Sequence, residues 1–220
     1  MERITDLNKA KKIMRGNLIG PQELYQKKRE LGIYIPSNYL KEPPPIPYPK
    51  EVLQQLRSDY ILIFGASYRD GSQLNIIKLR SHFGFNPDKS EPCFYNQDWY
   101  VRDNFVNYKY IENKWYLIRK SPYDNARGKS LKEIDKMNIK AKRQLPSAVL
   151  ATYIFFANYF VHNGEVLWKY DYIWCSDTDD NGDRIYVGRY LDPKGINKNG
   201  FNIHRFLTIN SLYSYVDIII

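Results

Sequence analysis

Residues 168–190 read WKYDYIWCSDTDDNGDRIYVGRY, and this stretch decides the fold. An aromatic segment leads into an acidic turn, and a second aromatic segment follows it directly. Asn181-Gly182 is a strong short-range hairpin signal, because both residues tolerate the positive φ angles that tight hairpin turns require. The stretch therefore predicts two neighbouring strands joined by a turn between Asp177 and Asp183.

The turn also carries part of a calcium-loop pattern. Asp177, Asp179 and Asn181 match the first, third and fifth positions of such a loop, and Gly182 matches its glycine. The twelfth position, which normally supplies a bidentate Glu, is Gly188. Two interpretations stay open, a structural turn in which Asp179 matters little for stability, and a weak Ca²⁺ site. The candidate metal ligands are Asp177, Asp179, Asn181 and Asp183.

Local patterns predict further elements of the main domain. The apolar run Tyr60–Gly65 has the length of a buried strand, and Lys114–Arg119 predicts another. Ser147 is placed to cap an apolar helix over Ala148–Phe160. A basic helix is expected over Ser130–Lys142, where Glu133 and Asp135 interrupt the cationic run and apolar residues indicate packing.

The N-terminal part predicts a separate arm. Residues 1–42 are polar and helical in pattern, with one helix expected over Pro21–Leu31. Residues 43–49 hold most of a proline-rich stretch, which favours an extended linker. These features predict a helical arm over 1–42, a linker over 43–49 and a main domain over 50–220.

Charge and composition narrow the function classes. The net charge is +9, yet from Leu145 onward acidic residues outnumber basic ones by eight to six, so the first 144 residues carry the excess. The two Cys do not form a disulfide framework, and no apolar run has the length of a membrane span. A cytoplasmic protein without a membrane partner or a signal peptide is expected. The 20 Tyr suit half-buried strands or a binding surface.

Catalytic signatures are weak. The chain contains no HExxH, GxSxG, phosphate-binding loop or GxGxxG motif. A metal-dependent nuclease would need clustered carboxylates beside a Lys, for which Asp98–Asp103, or Glu165 and Asp171 with Lys169, are candidates. Nucleic-acid binding or nuclease activity through the basic half is therefore the alternative to a non-catalytic function.

Two motifs resemble a known family. Arg143-Gln-Leu-Pro-Ser147 before an apolar helix, and the paired segments 172–177 and 184–190, resemble C-type-lectin-like domains of the formylglycine-generating-enzyme branch. The resemblance covers roughly residues 114–190 and extends to variable ligand-binding proteins diversified by retroelements. It implies an α+β fold with a mixed or antiparallel sheet and packed helices. The catalytic cysteine pair of that branch has no match here, so its oxidase chemistry is not implied.

The resemblance implies a rigid frame that displays a binding face near the C-terminus. We therefore expect a non-catalytic protein that binds a protein or another macromolecule, with nucleic acid bound at most non-specifically. The expected contact residues alternate aromatic anchors with adaptable polar groups. They are Asn199, Phe201, Asn202, His204, Arg205, Asn210, Tyr213 and Tyr215.

Overall fold

The computed structural model describes residues 4–86, 91–141, 143–190, 199–205 and 211–219. Its helices are α1 Leu7–Met14, α2 Pro21–Gln26, α3 Lys28–Leu31, α4 Ser37–Lys41, α5 Lys50–Leu56, α6 Ile76–Phe83, α7 Asn104–Asn107, α8 Leu131–Ala141 and α9 Ala148–Val161. Its strands are β1 Leu18–Ile19, β2 Ile33–Tyr34, β3 Tyr60–Phe64, β4 Ser67–Tyr68, β5 Trp115–Arg119, β6 Tyr172–Thr178, β7 Arg184–Tyr190, β8 Gly200–Arg205, β9 Tyr213–Ser214 and β10 Ile218–Ile219. This combination confirms the predicted α+β class.

Two four-stranded sheets organise the chain. The first has the order β1-β3-β5-β10, in which β1 is parallel to β3 and the other pairs are antiparallel. The second has the order β8-β7-β6-β9, in which β9 is parallel to β6 and the other pairs are antiparallel. The hairpin predicted from residues 168–190 is β6–β7, and it forms the centre of the second sheet.

Helix α9 lies at the centre of the core. Every residue from Ala148 to Asn158 is buried, as expected for a helix that is apolar on all sides. Its start is the one predicted from the sequence, because the Ser147 hydroxyl accepts a hydrogen bond from the Leu150 amide at 3.3 Å. None of the helices in the described ranges combines the length and apolarity that crossing a bilayer would require.

The N-terminal segment packs into the same core, which corrects the expected separate arm. Leu18 and Ile19 pair with Leu62 and Ile63 at the edge of the first sheet. Helices α1 and α2 look polar in composition, yet each buries an apolar face, and Met14 is one of the buried residues. The single helix expected over residues 21–31 is interrupted at Lys27, which separates α2 from α3.

The proline-rich segment is also part of this packing unit. Ile46 forms an isolated bridge with Thr5, and the Trp115 indole donates a hydrogen bond to the Pro44 carbonyl at 2.8 Å. The Tyr48 hydroxyl donates to the Ile219 carbonyl at 3.0 Å. Residues 43–49 therefore hold the N-terminal segment against the first sheet and do not act as a free spacer.

Helix α8 covers the second face of the β8-β7-β6-β9 sheet. One face of this sheet packs on α9 through residues such as Ile173 and Ile185. The other face forms a small aromatic core with Ile134 of α8. The aromatic members of that core are Trp174, Tyr186, Tyr213 and Tyr215. The cationic helix predicted from the sequence therefore has a buried apolar face, and its Tyr-rich partner strands are covered on both sides.

Candidate functional site

The acidic turn is closed by one of its own carboxylates. Asp179 is only 4% exposed and accepts hydrogen bonds from the backbone amides of Asn181 at 3.0 Å and Asp183 at 2.8 Å. The Gly182 amide donates back to the Asp179 carbonyl at 3.0 Å. Asp179 therefore shapes the turn, and the expectation that it matters little for stability needs correction.

The neighbouring carboxylates have different partners. Burial alone would raise the pKa of Asp179, but the Arg205 guanidinium at 3.0 Å and the turn amides lower that pKa below its ordinary value. Asp177 accepts from the Ala148 amide at the start of α9, at 2.5 Å, and burial raises the pKa of this carboxyl. Asp180 accepts from the backbone and side chain of Asn104.

These contacts do not assemble the predicted calcium site. Asp177 contacts α9, whereas Asp179 contacts its own turn and β8, so the two carboxylates do not converge on a common point. Asn181 contributes its amide groups to Asp179. In the part of the chain that the structure describes, no three His, Cys, Asp or Glu side chains are grouped as a metal site would require. Asp171, a candidate for the nuclease alternative, instead forms an ion pair with Arg127.

A substitution at Gly182 tests whether this turn stabilises the fold. Its φ angle is +90°, and a Cβ built there would meet no atom within 4 Å, so only backbone strain opposes a side chain. We expect Gly182→Ala to lower the free energy of unfolding by about 1 kcal/mol in a urea titration. Gly16→Ala is the matched control, because that Cβ also has open space and no positive φ is recorded for Gly16. Equal stability of the two variants would contradict this role.

Several of the predicted contact residues are buried. Phe201 contacts Phe155 and Phe156 of α9, and Asn202 is 5% exposed. Tyr213 and Tyr215 lie in the small aromatic core. The expectation that these four residues form an exposed C-terminal binding surface is therefore wrong, because helices cover both faces of the sheet. Asn199, His204 and Arg205 are half-buried, and Asn210 lies outside the described residues.

A buried carboxylate that the sequence did not single out organises the rim of the aromatic core. Asp217 is fully buried and accepts hydrogen bonds from the Tyr60 hydroxyl at 2.9 Å and the Tyr123 hydroxyl at 3.0 Å. The Arg143 Nε lies 3.5 Å from the same carboxylate. Burial raises the pKa of both phenols, so both stay protonated and able to donate.

Two guanidinium groups pack on the ring of Tyr123. Arg119 lies 4.3 Å and Arg143 lies 4.5 Å from its ring centroid, within the range of cation–π attraction. Asp217 and Tyr123 together hold Arg143 in one orientation. This matters for a cleft beside α8, where Arg143 forms part of the wall.

We call this cleft the α8 cleft, and its volume is about 420 Å³. Its walls combine α8, the segment before α9 and the β6–β7 hairpin. They are formed by Asp135, Asn138, Arg143, Gln144, Leu145, Ser176 and Arg184. Arg184 is held by Asp135 at 3.2 Å and by the Cys175 carbonyl at 3.4 Å. The cleft therefore presents two positioned guanidinium groups, the carboxylate of Asp135 and several neutral polar side chains.

Asn138 is the unusual member of this wall. It is 5% exposed, and neither its side-chain oxygen nor its side-chain nitrogen has a hydrogen-bond partner among the described residues. A buried amide without partners costs about 1–3 kcal/mol. Asn138 follows the buried Ile134 by four residues, so it lies on the packed face of α8. The four-residue spacing from Ile134 is the sequence signal that places Asn138 on this face.

Comparison with protein-family models, curated proteins and solved structures finds no match to this chain. What the chain binds is therefore inferred from the chemistry of its own side chains. The α8 cleft brings together positioned charges and a buried amide that has no partner among the described residues.

Proposed function

We propose that this chain is a non-catalytic binding protein whose α8 cleft receives a small ligand carrying a carboxylate. The observation that carries the proposal is the buried amide of Asn138, which has neither donor nor acceptor partner in the wall of a cleft that also contains two arginines. An unsatisfied buried amide lowers the stability of the fold. Both polar atoms of the Asn138 side chain are shielded from solvent, so a ligand reaches them by displacing neighbouring wall atoms and then recovers part of this cost.

The charges of the cleft favour a carboxylate. Arg143 and Arg184 are each held on one side by an acid, Asp217 and Asp135 respectively. A guanidinium has five N–H donors, more than these contacts use, and its planar fork matches a carboxylate. Gln144 and Ser176 add neutral polar groups to the same wall. The ligand class is therefore a compound with one carboxylate and at least one neutral polar group.

The C-type-lectin-like frame is the second part of the proposal. It is supported by the position of Arg143–Ser147 directly before α9, and by the pairing of β6 with β7 as the resemblance predicted. On such a frame the sheet would be the rigid support, as in the variable ligand-binding proteins. The binding face would then lie at α8 and the half-buried end of β8, where His204 and Arg205 retain exposure.

Asn138→Leu tests the proposal because stability and binding should change in opposite directions. Leu has the same side-chain branching and the same number of heavy atoms as Asn and removes the unsatisfied amide, so we expect the free energy of unfolding to rise by about 1 kcal/mol. Ligand-observed NMR with lactate and N-acetylglycine, compared with their amides, should detect carboxylate binding to the wild type and its loss in Asn138→Leu. Arg184→Gln should also lose binding.

Lys132→Gln is the matched control for these variants. Lys132 is an exposed residue of α8 that does not line the cleft, so its replacement should leave carboxylate binding unchanged. A destabilised Asn138→Leu would show that the amide has a structural role. Equal binding of carboxylates and amides, or no carboxylate binding by the wild type, would reject the ligand class.

A further inference from the structure

We infer that a second surface, formed by α3, β2, β4 and α6, binds single-stranded nucleic acid. It shares no lining residue with the α8 cleft and does not depend on the function proposed for that cleft. Its cavity measures about 410 Å³ and is lined by Lys28, Arg29, Gly32, Ile33, Tyr34, Arg69 and His82. We call these residues, together with the adjacent Tyr25, the basic–aromatic patch.

Among the residues that the structure describes, the cations of the patch have no acidic partner within ion-pair distance. The described lining residues include no acid, and within the described ranges no carboxylate forms an ion pair with Lys28, Arg29 or Arg69. Other surface cations do have such partners, for example Lys11 with Glu23 at 3.0 Å. A concentration of uncompensated positive charge attracts phosphates and supplies most of the affinity of non-specific nucleic-acid binding.

Exposed aromatic rings lie among these cations. Tyr34 is 45% exposed and lines the cavity, and Tyr25 is 40% exposed with the Lys28 ammonium 3.8 Å from its ring centroid. Aromatic rings beside cations are the arrangement on which bases stack while phosphates contact Lys and Arg.

The backbone gives the patch its concave shape. Gly32 has a φ angle of +63°, and a Cβ built there would lie 2.5 Å from the His82 ring. The His82 Nε2 donates to the Glu30 carbonyl at 2.8 Å, which fixes the ring against α3. The Arg69 amide donates to the Gly32 carbonyl at 3.1 Å, which holds β4 beside this turn. The cavity is therefore built from hydrogen-bonded backbone, and its volume is within the range of small-ligand sites.

Single-stranded nucleic acid fits better than a duplex or a phosphorylated lipid surface. Stacking on Tyr34 requires an unpaired base, which neither a duplex interior nor a headgroup supplies. Removing the Tyr34 ring should therefore weaken binding of an oligonucleotide without weakening binding of a polyanion that has no bases.

The test is fluorescence anisotropy with a labelled oligothymidylate, with inorganic polyphosphate, duplex DNA and phosphatidylserine vesicles as competitors. We expect Tyr34→Ala to weaken oligonucleotide binding about tenfold, and Tyr34→Trp to retain it. The double variant Arg29→Gln/Arg69→Gln should make log affinity fall less steeply with log salt concentration, reducing the magnitude of the slope by about 1.4. Lys132→Gln/Lys136→Gln removes the same charge from α8 and should leave the affinity within about twofold.

Each alternative outcome would overturn the inference. If the α8 double variant loses as much affinity as the patch double variant, net charge and not the patch is responsible. If Tyr34→Ala has no effect, or if polyphosphate or vesicles compete as well as unlabelled oligonucleotide, the patch is a general polyanion or lipid surface. Absence of oligonucleotide binding at low salt would also reject it. The carboxylate titrations of the α8 cleft are unaffected by any of these results.

Discussion

Replacing Asp217 by Ala is expected to lower the free energy of unfolding by about 3 kcal/mol. The substitution leaves the Tyr60 and Tyr123 hydroxyls without their acceptor inside the protein, and it removes the carboxylate that faces Arg143. Tyr60 is 3% exposed, so water cannot readily replace the lost acceptor. Arg143 is partly exposed and recovers some hydration, which keeps the effect below that of a fully buried ion pair.

Urea unfolding followed by circular dichroism would measure this change. Asp217→Asn retains an acceptor oxygen and should cost less than the Ala variant. Asp59→Ala is the matched control, because Asp59 also pairs with an arginine, Arg119 at 3.6 Å, but is 55% exposed. An exposed pair of this kind contributes at most about 1 kcal/mol. Similar losses for Asp217→Ala and Asp59→Ala would show that burial of the Asp217 contacts does not stabilise the fold.

The contacts of Asp217 with Tyr60, Tyr123 and Arg143, which we call the Asp217 network, also connect stability with binding. It orients Arg143, which lies in the wall of the α8 cleft. Under the proposed function, Asp217→Asn should weaken carboxylate binding even at urea concentrations where the variant remains fully folded. The control Asp59→Ala should bind as the wild type does.

Replacing Asp179 by Ala is expected to cost about 2 kcal/mol at neutral pH, because charge-assisted hydrogen bonds are stronger than neutral ones. The variant loses the acceptor for two turn amides and the ion pair with Arg205. Asp177→Asn is the informative comparison two residues earlier. Burial already raises the pKa of Asp177, and an Asn side-chain oxygen can still accept from the Ala148 amide. The free energy of unfolding of Asp177→Asn should therefore equal that of the wild type or slightly exceed it.

The two carboxylates should also differ in pH dependence. The pKa of Asp179 is lowered in the folded protein, so its stabilising contribution is present above the unfolded pKa of about 3.9 and is lost as pH falls through the folded value. The difference in free energy of unfolding between the wild type and Asp179→Ala should therefore become smaller below about pH 4. The raised pKa of Asp177 acts in the opposite direction. Its protonated form stabilises the fold at low pH, and this stabilisation is lost as pH rises through the folded pKa. A constant difference for Asp179→Ala from pH 7 to pH 3 would contradict the role of its charge.

Local sequence signals determined several elements of this protein. The Ser147 cap and the apolar run after it specify α9, because capping and hydrophobic burial act within a few residues. The run Tyr60–Phe64 specifies a buried strand, and the aromatic segments around Asn181-Gly182 specify the β6–β7 hairpin. Each of these signals lies within one short window of the chain.

Tertiary structure alone decided which surfaces meet. The polar appearance of residues 1–42 concealed that Leu18 and Ile19 pair with β3, and the aromatic pattern of Tyr213 and Tyr215 did not reveal that α8 covers them. The Asp217 network joins residues 60, 123, 143 and 217. The sequence around each of these residues specifies only its local conformation. The contacts form because burying the apolar faces of distant segments repays the entropy of bringing those segments together, and that gain depends on the assembled shape.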